Sequence, residues 1–276
     1  MRAGVWYHPD FATKGHSVLR DRVEPAFKAL TDLIESGRVL LFTPEVTEKT
    51  EELLERCHSP EHIAMVKVEG YHEVALLSAA GVIEAAELLV SGDLDFAFCF
   101  VGAAGHHASY DRFWGFCYYN DAVMAIRRLR EIGTKRVMIV DVDPHFGDGT
   151  RNLIGDDPDV IHVNFHSGSW RVVENTELNN YDIGLGAGGD SDFIDALNTI
   201  LSRSWDYEIL MVIFGHDSHI LDYGGFNLTE ISFKHLAESI REFASAKPVL
   251  FILSGGANPE VAETVIPLVI RTFVGK

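Results

Sequence analysis

Short apolar runs, rich in β-branched and aromatic residues, recur along the chain, and each leads into Gly, Asp or His. Asp95–Val101 (DFAFCFV) leads into Gly105-His106-His107, and Arg136–Val142 (RVMIVDV) into Asp143-Pro144-His145. Val160–Phe165 (VIHVNF) leads into His166, Glu208–Phe214 (EILMVIF) into Gly215-His216-Asp217, and Pro248–Leu253 (PVLFIL) into Ser254-Gly255-Gly256-Ala257-Asn258. The runs are nearly continuous rather than alternating, the pattern of strands covered on both faces. Glu73–Val90, Asp121–Ile132 and Phe193–Ser204 carry apolar residues on one side at helical spacing. Together they predict an α/β fold, a mainly parallel β-sheet with helices on both faces. No internal repeat, low-complexity tract or Pro/Ser-rich linker interrupts the pattern, so a single domain over residues 1–276 is expected. Ligands of such sheets sit beyond the carboxyl ends of the strands. All five runs deliver ionisable, polar or glycine residues to that end, and an active site is expected there.

Composition narrows the function. At 276 residues, 47% hydrophobic and 23% charged, the chain can bury a large core and is neither disordered nor collagen-like. Against 41 Asp and Glu it has 23 Lys and Arg, a net charge of −18. That charge argues against nucleic-acid binding through a basic patch and favours cationic substrates or partners. Cys57, Cys99 and Cys117 are odd in number and not closely paired, so a reducing compartment is expected rather than a disulfide framework. Met1–Phe11 lacks a basic region followed by a long apolar run, and no stretch approaches the ~20 apolar residues of a membrane span. A cytoplasmic location without membrane attachment is expected; a homo-oligomer is left open.

The segment Asp141-Val142-Asp143-Pro144-His145-Phe146-Gly147-Asp148-Gly149 is the richest in chemistry. Asp143 and His145 are two apart at a strand exit, so an extended backbone points both side chains the same way. With Asp217 at the equivalent end of another strand they form a two-carboxylate, one-histidine set, with an open position for water, that suits a catalytic Zn²⁺. The bland alternative is that Asp143 and His145 cap the following turn. His106 and His107 follow a small-residue bend, Gly102-Ala103-Ala104-Gly105, from which both imidazoles can reach the same cleft. Each could act as general base or acid, given an orienting carboxylate on its other nitrogen, and Asp141 and Asp148 are the carboxylates left over. Two surface-loop histidines are the alternative. Gly186–Gly189 lacks the following Lys-Ser/Thr of a phosphate loop, His162 and His235 read as structural, and Cys117 reads as a small buried hydrophobe. Phe113 and Trp114 read equally as cleft rim or as packing.

In order along the chain, these motifs resemble those of the zinc-dependent histone deacetylase-like amidohydrolases of the arginase/deacetylase fold, which include the acetylpolyamine amidohydrolases. The resemblance rests on Tyr7-His8-Pro9 with Gly15-His16, His58-Ser59-Pro60-Glu61, Gly105-His106-His107-Ala108, Gly115-Phe116-Cys117-Tyr118-Tyr119-Asn120, Asp141–Gly149 and Leu253–Glu260. It implies one Zn²⁺ held by Asp143, His145 and Asp217, and a tandem histidine pair, His106 and His107, backed by Asp141 and Asp148. It implies a substrate tunnel at Gly115 and Phe116, with Trp170 as a further wall. It also implies a structural K⁺ or Na⁺ near Asp141, Asp143, His145, Asn164 and Phe165. The implied substrate is a small-molecule or peptide acylated amine, such as acetyl-lysine or an acetylpolyamine, hydrolysed by activated water.

Several positions depart from the family pattern. Ala257 stands on the substrate side where the family has a tyrosine whose hydroxyl polarises the carbonyl, and His216, His219 and Tyr223 are the groups near enough in sequence to replace it. Phe146 replaces a histidine that is not a ligand, Ala103-Ala104 replaces prolines, and Ser17–Arg20 differs at the entrance. Three readings follow: a zinc deacetylase, a protein that keeps fold and metal but only binds an acylated ligand or partner, and a two-metal arginase-like hydrolase. The last wants a second aspartate where Gly147 stands and ranks lowest.

Overall fold

The structure, a computed structural model, describes residues 1–275. Its centre is a nine-stranded sheet: β1 (Ala3–Trp6), β2 (Leu40–Phe42), β3 (Phe96–Cys99), β4 (Val137–Asp141), β5 (Val160–His166), β6 (Arg171–Asn175), β7 (Asn180–Gly184), β8 (Ile209–Phe214) and β9 (Val249–Leu253). The order is β2-β1-β3-β9-β8-β4-β5-β7-β6, parallel throughout except for the β6–β7 pair at one edge. This is the expected α/β architecture.

Around the sheet run α1 (Pro9–Thr13), α2 (Val23–Lys28), α3 (Thr31–Glu35), α4 (Glu48–Cys57), α5 (Pro60–Glu69), α6 (His72–Val90), α7 (Asp121–Glu131), α8 (Asp148–Ile154), α9 (Asp190–Leu201), α10 (Glu230–Ala244) and α11 (Pro259–Val274). β3 shows why its apolar run is continuous. Phe96 stacks on Phe273 of α11 at 4.2 Å, whereas Cys99, on the opposite face, lies against the Gly81 carbonyl of α6. Both faces are covered, so successive side chains are all buried. On one side α6 packs with α7, α4 and α5; on the other α2, α11, α10 and α9 pack in succession.

The five apolar runs became β3, β4, β5, β8 and β9, each within a residue or two of the expected ends. β1, β2, β6 and β7 carried no such signal. β2 is a three-residue edge strand, and every residue of β6 is exposed. α9 begins three residues earlier than the apolar periodicity, because its first turn, Asp190-Ser191-Asp192, is acidic and Asp192 accepts the Gly189 N–H.

Two asparagines tie this scaffold to the loops above it. Asn120 caps α7 by accepting the Val123 N–H, while its amide group donates to the Ala108 carbonyl and the Thr150 hydroxyl. Asn258 caps α11, with Pro259 at the first helical position. The loops at the carboxyl ends of β3 and β9 are thereby fastened to helix starts. Among the described residues, no helix is long and apolar enough to cross a membrane.

Candidate active site

β4, β8 and β9 are neighbours in parallel, with Asp141 opposite Ile213 and Phe214 opposite Leu253. Their carboxyl ends therefore lie level, and the next residues of each meet. Asp143 and His145 leave β4, Asp217 leaves β8, and one ligand atom from each of the three lies within 4.8 Å of the other two. His145 Nδ1 is 2.9 Å from Asp143 Oδ1 and 3.2 Å from Asp217 Oδ2. Neither carboxylate oxygen of the fully buried Asp217 has a conventional hydrogen-bond partner. Buried carboxylates are costly unless paired or ligating, so the arrangement fits a divalent cation. β9 supplies the floor: the Gly255 N–H donates to Asp143 Oδ2 at 2.8 Å, and a Cβ on Gly255 would collide with both carboxylates.

The charges are strongly coupled. The hydrogen bond to Asp143 and the close Asp217 carboxylate raise the His145 pKa to about 10. Burial alone would raise Asp143, but the charges of His106 and His145 outweigh it and hold that carboxyl well below its usual range. Asp217, buried beside Asp143, is pushed the other way.

His106 and His107 occupy the loop beyond β3. Gly149 at the start of α8 lets this loop lie directly against the helix backbone, since a Cβ there would overlap the His107 and Ala108 main chain. The Thr150 N–H donates to the His106 carbonyl at 2.9 Å. His106 Nδ1 lies 3.0 Å from Asp141 Oδ2, and His107 Nδ1 lies 2.7 Å from Asp148 Oδ1. The two rings are 4.0 Å apart. Burial opposes charge on His106, but Asp143 and Asp141 prevail and raise its pKa to about 9. For His107, burial and the neighbouring His106 lower the pKa to about 4. The pair is thus electrostatically split into a charged and a neutral imidazole.

Of these seven side chains, all but Asp141 and Asp148, which stand behind the histidines, open onto one cavity of about 240 Å³. Its walls include Leu19, Trp114, Gly115, Phe116, Cys117 and Tyr223. Phe116 sits at φ 66°, in the left-handed region that bulky residues rarely adopt. Gly115 before it has φ 60°, and a Cβ there would strike the His107 ring. The strained pair aims the Phe116 ring between His16, at 4.5 Å, and Tyr223, edge-on at 6.4 Å. A buried triad able to hold a metal, two carboxylate-backed histidines and an apolar throat make an arrangement chemically able to support metal-assisted hydrolysis.

Residues 16–273 match the histone deacetylase domain. The chain belongs to the histone deacetylase family. It is 31% identical over 213 residues to Histone deacetylase 5 of Arabidopsis thaliana, covering 68% of this chain and 32% of that protein. It is 30% identical over 213 residues to the acetylpolyamine amidohydrolase of Mycoplana ramosa, covering 71% and 62% respectively. Against Polyamine deacetylase HDAC10 of Homo sapiens it is 26% identical over 271 residues, covering 83% and 40%. The chain thus spans a third to under two thirds of the length of these relatives. The crystal structure of the HDA15 HD domain superposes with a TM-score of 0.87 at 22% identity, covering 99% of this chain and 90% of that one, and shows the same fold.

Within this deacetylase-family site, two expected substrate contacts stand apart from the cavity. Trp170 is 61% exposed and lies against Gly186 near the antiparallel edge of the sheet, away from β4 and β8. Ala257 is partly buried and reaches the site only through its backbone, its N–H donating to Asp222. Trp114, read from sequence as rim or packing, is the tryptophan that lines the cavity, stacked on His107 at 3.7 Å. Phe146 lies edge-on to His166 with the Arg151 guanidinium over its face. Asp141 and Asn164 pair across β4 and β5; the Asn164 side-chain oxygen accepts the Gly147 N–H, and its amide nitrogen is buried without a partner. Arg22, fully buried beneath the site and bonded to the Ser254 and Gly255 carbonyls, gave no signal, because LRDRVEP reads as a charged surface segment.

Proposed function

We infer that the chain is a zinc-dependent hydrolase that removes an acyl group, acetyl first among them, from an acylated amine such as acetyl-lysine or an acetylpolyamine. The observation that carries this reading is the convergence of Asp143, His145 and Asp217 beside two histidines, each with a carboxylate at Nδ1. Asp143, His145 and Asp217 would hold Zn²⁺, which when bound supplies Lewis acidity toward an acyl oxygen and lowers the pKa of water.

The chain's own residues do the rest. Asp148 fixes the His107 tautomer so that its Nε2 is free for chemistry, and Asp141 orients the charged His106. His107, kept neutral, takes the proton of the attacking water as the carbon–oxygen bond forms. The proton is returned to the leaving nitrogen as the carbon–nitrogen bond breaks, with the charged His106 beside it favouring the negatively charged tetrahedral state. Phe116 and Leu19 grip the aliphatic stem and keep bulk water out. The net charge of −18 suits an amine product and a cationic substrate tail.

The test is acetate release by zinc-loaded protein from an acetyl-lysine peptide and from an acetylated polyamine. Turnover lost on chelation and regained with Zn²⁺ supports the reading; no release from either substrate sinks it. A second reading, a protein that binds an acylated ligand without hydrolysing it, draws on Ala257, whose methyl group donates nothing. It is favoured if the zinc-loaded protein binds the acetylated amine and releases no acetate.

A further inference from the structure

The geometry points to a further catalytic residue: we propose that the Tyr223 hydroxyl donates a hydrogen bond to the acyl oxygen as negative charge develops on it. The inference rests on the hydrolase reading above. Addition of water to an amide places charge on the carbonyl oxygen, and a positioned donor at that point is among the largest contributors to the rate.

His107 is committed to proton transfer, the charged His106 is held between Asp141 and Asp143, and the buried Cys117 thiol is a poor donor. Of the three groups near Asp217 in sequence, His216 is fully buried against Arg22, 3.3 Å away, and Asp222, and does not line the cavity. His219 accepts the Leu221 N–H at Nδ1 and does not line it either. Tyr223 does. Its ring lies 5.9 Å from that of His145 and meets the edge of Phe116, placing it between a metal-site residue and the throat.

The hydroxyl is held ready to donate. The Gly256 N–H gives to Tyr223 Oη at 3.1 Å, one residue beyond the Gly255 N–H that gives to Asp143. The oxygen's acceptor role is thus filled by an amide, while among the described residues no protein acceptor takes its proton. Main-chain bonds fix the loop. The Gly224 N–H donates to the Asp217 carbonyl at 3.0 Å, and Asp222 accepts the N–H groups of Tyr223, Ala257 and Asn258. Tyr223 keeps its proton throughout; it supplies a hydrogen bond and no transfer. Ser254, just beyond β9, is the other hydroxyl on the cavity, buried and with its Oγ without a partner.

The experiment compares zinc-loaded parent, Tyr223→Phe and Ser254→Ala proteins. It reads kcat and KM on an acetylated amine, and the Kd of a trifluoromethyl ketone, whose hydrate presents a tetrahedral carbon and an oxyanion. Tyr223→Phe is expected to lower kcat by about 10²- to 10³-fold with KM within about threefold and metal content unchanged. It is expected to weaken the ketone about tenfold or more. Tyr223→Phe indistinguishable from parent in both kcat and ketone affinity overturns the proposal, as does Ser254→Ala carrying the loss instead. A parent that binds the ketone but releases no acetate overturns the hydrolase reading alone, and the ketone comparison still decides Tyr223. A parent that does neither overturns both.

Discussion

The indole N–H of Trp114 faces both carboxylate oxygens of Asp148, at 3.0 and 3.2 Å, on the same carboxylate that holds His107 Nδ1 at 2.7 Å. The indole also stacks on the His107 ring. Asp148 is half-exposed, whereas Asp141, its counterpart behind His106, is fully buried. Trp114 therefore stands in for the protein matrix that encloses Asp141: it shields the dyad and fixes the carboxylate's orientation.

From this arrangement His107→Ala should keep its metal and lose turnover by about 10²- to 10⁴-fold. Trp114→Phe preserves the stacked ring but removes the N–H, and should lower kcat by about tenfold, a loss comparable to one charge-assisted hydrogen bond. Steady-state kinetics with metal analysis on both variants checks this. Unchanged kcat in His107→Ala would exclude its acid–base role.

Metal retention should fail with the loss of either residue that leaves β4. Asp143→Ala or His145→Ala removes one of three converging donors and leaves Asp217 buried beside an incomplete set. Both variants should lose zinc on dialysis, and zinc, expected to raise the Tm of the parent, should not raise theirs. Elemental analysis showing full occupancy in either variant refutes the ligand set.

A pH dependence of stability follows from His58, which lies outside the metal site. Its Nδ1 donates to the Ser109 carbonyl at 2.7 Å, and its Nε2 accepts the Asn120 N–H at 3.0 Å. Both nitrogens are committed in the neutral tautomer, and burial, with His62 beside it, lowers its pKa to about 3. Below pH ~6.5 the unfolded chain takes a proton at this residue that the folded chain refuses, so stability falls as pH falls. In His58→Gln that contribution is absent. The stability difference between parent and variant should therefore shrink by about 1.4 kcal/mol per pH unit between pH ~6.5 and pH ~3. Urea unfolding of both proteins at pH 7 and pH 5 measures it, and a constant difference contradicts it.

What could be read from sequence follows burial. β3, β4, β5, β8 and β9 lie in the middle of the sheet, where both faces demand apolar residues, and their runs stand out. β6 is the exposed antiparallel edge and β7 the buried strand beside it, with polar residues such as Arg171, Glu174 and Asn180 interleaved, and nothing marks them as strands. In the site, Asp143 with His145 and His106 with His107 were legible because each pair is local in sequence and sits at a strand end. Tyr223 could be named as near Asp217, but not chosen over His216 and His219. The choice depends on which side chain turns toward Phe116 and which turns inward to Arg22, and no spacing carries that information. Trp170 and Trp114 exchange importance for the same reason: the first belongs to the sheet's edge, the second to a loop folded over His107.

Arg22 gives the last prediction. Its guanidinium is wholly buried, donating to the Ser254 and Gly255 carbonyls, with Asp143, Asp217 and Asp222 near enough to favour its charge. Burial works against that charge and is only partly offset by these neighbours, so its pKa is lowered. Arg22→Met keeps much of the volume but leaves two buried carbonyls unpaired and removes a buried cation from behind three carboxylates. The fold should lose about 3–5 kcal/mol. Because Gly255 also donates to Asp143, the variant should bind zinc more weakly as well. Calorimetric unfolding and zinc titration against a chelator test the two effects separately. A variant with parental Tm would mean that Arg22 contributes nothing to the floor of the site, and parental zinc affinity with a lowered Tm would confine its role to the fold.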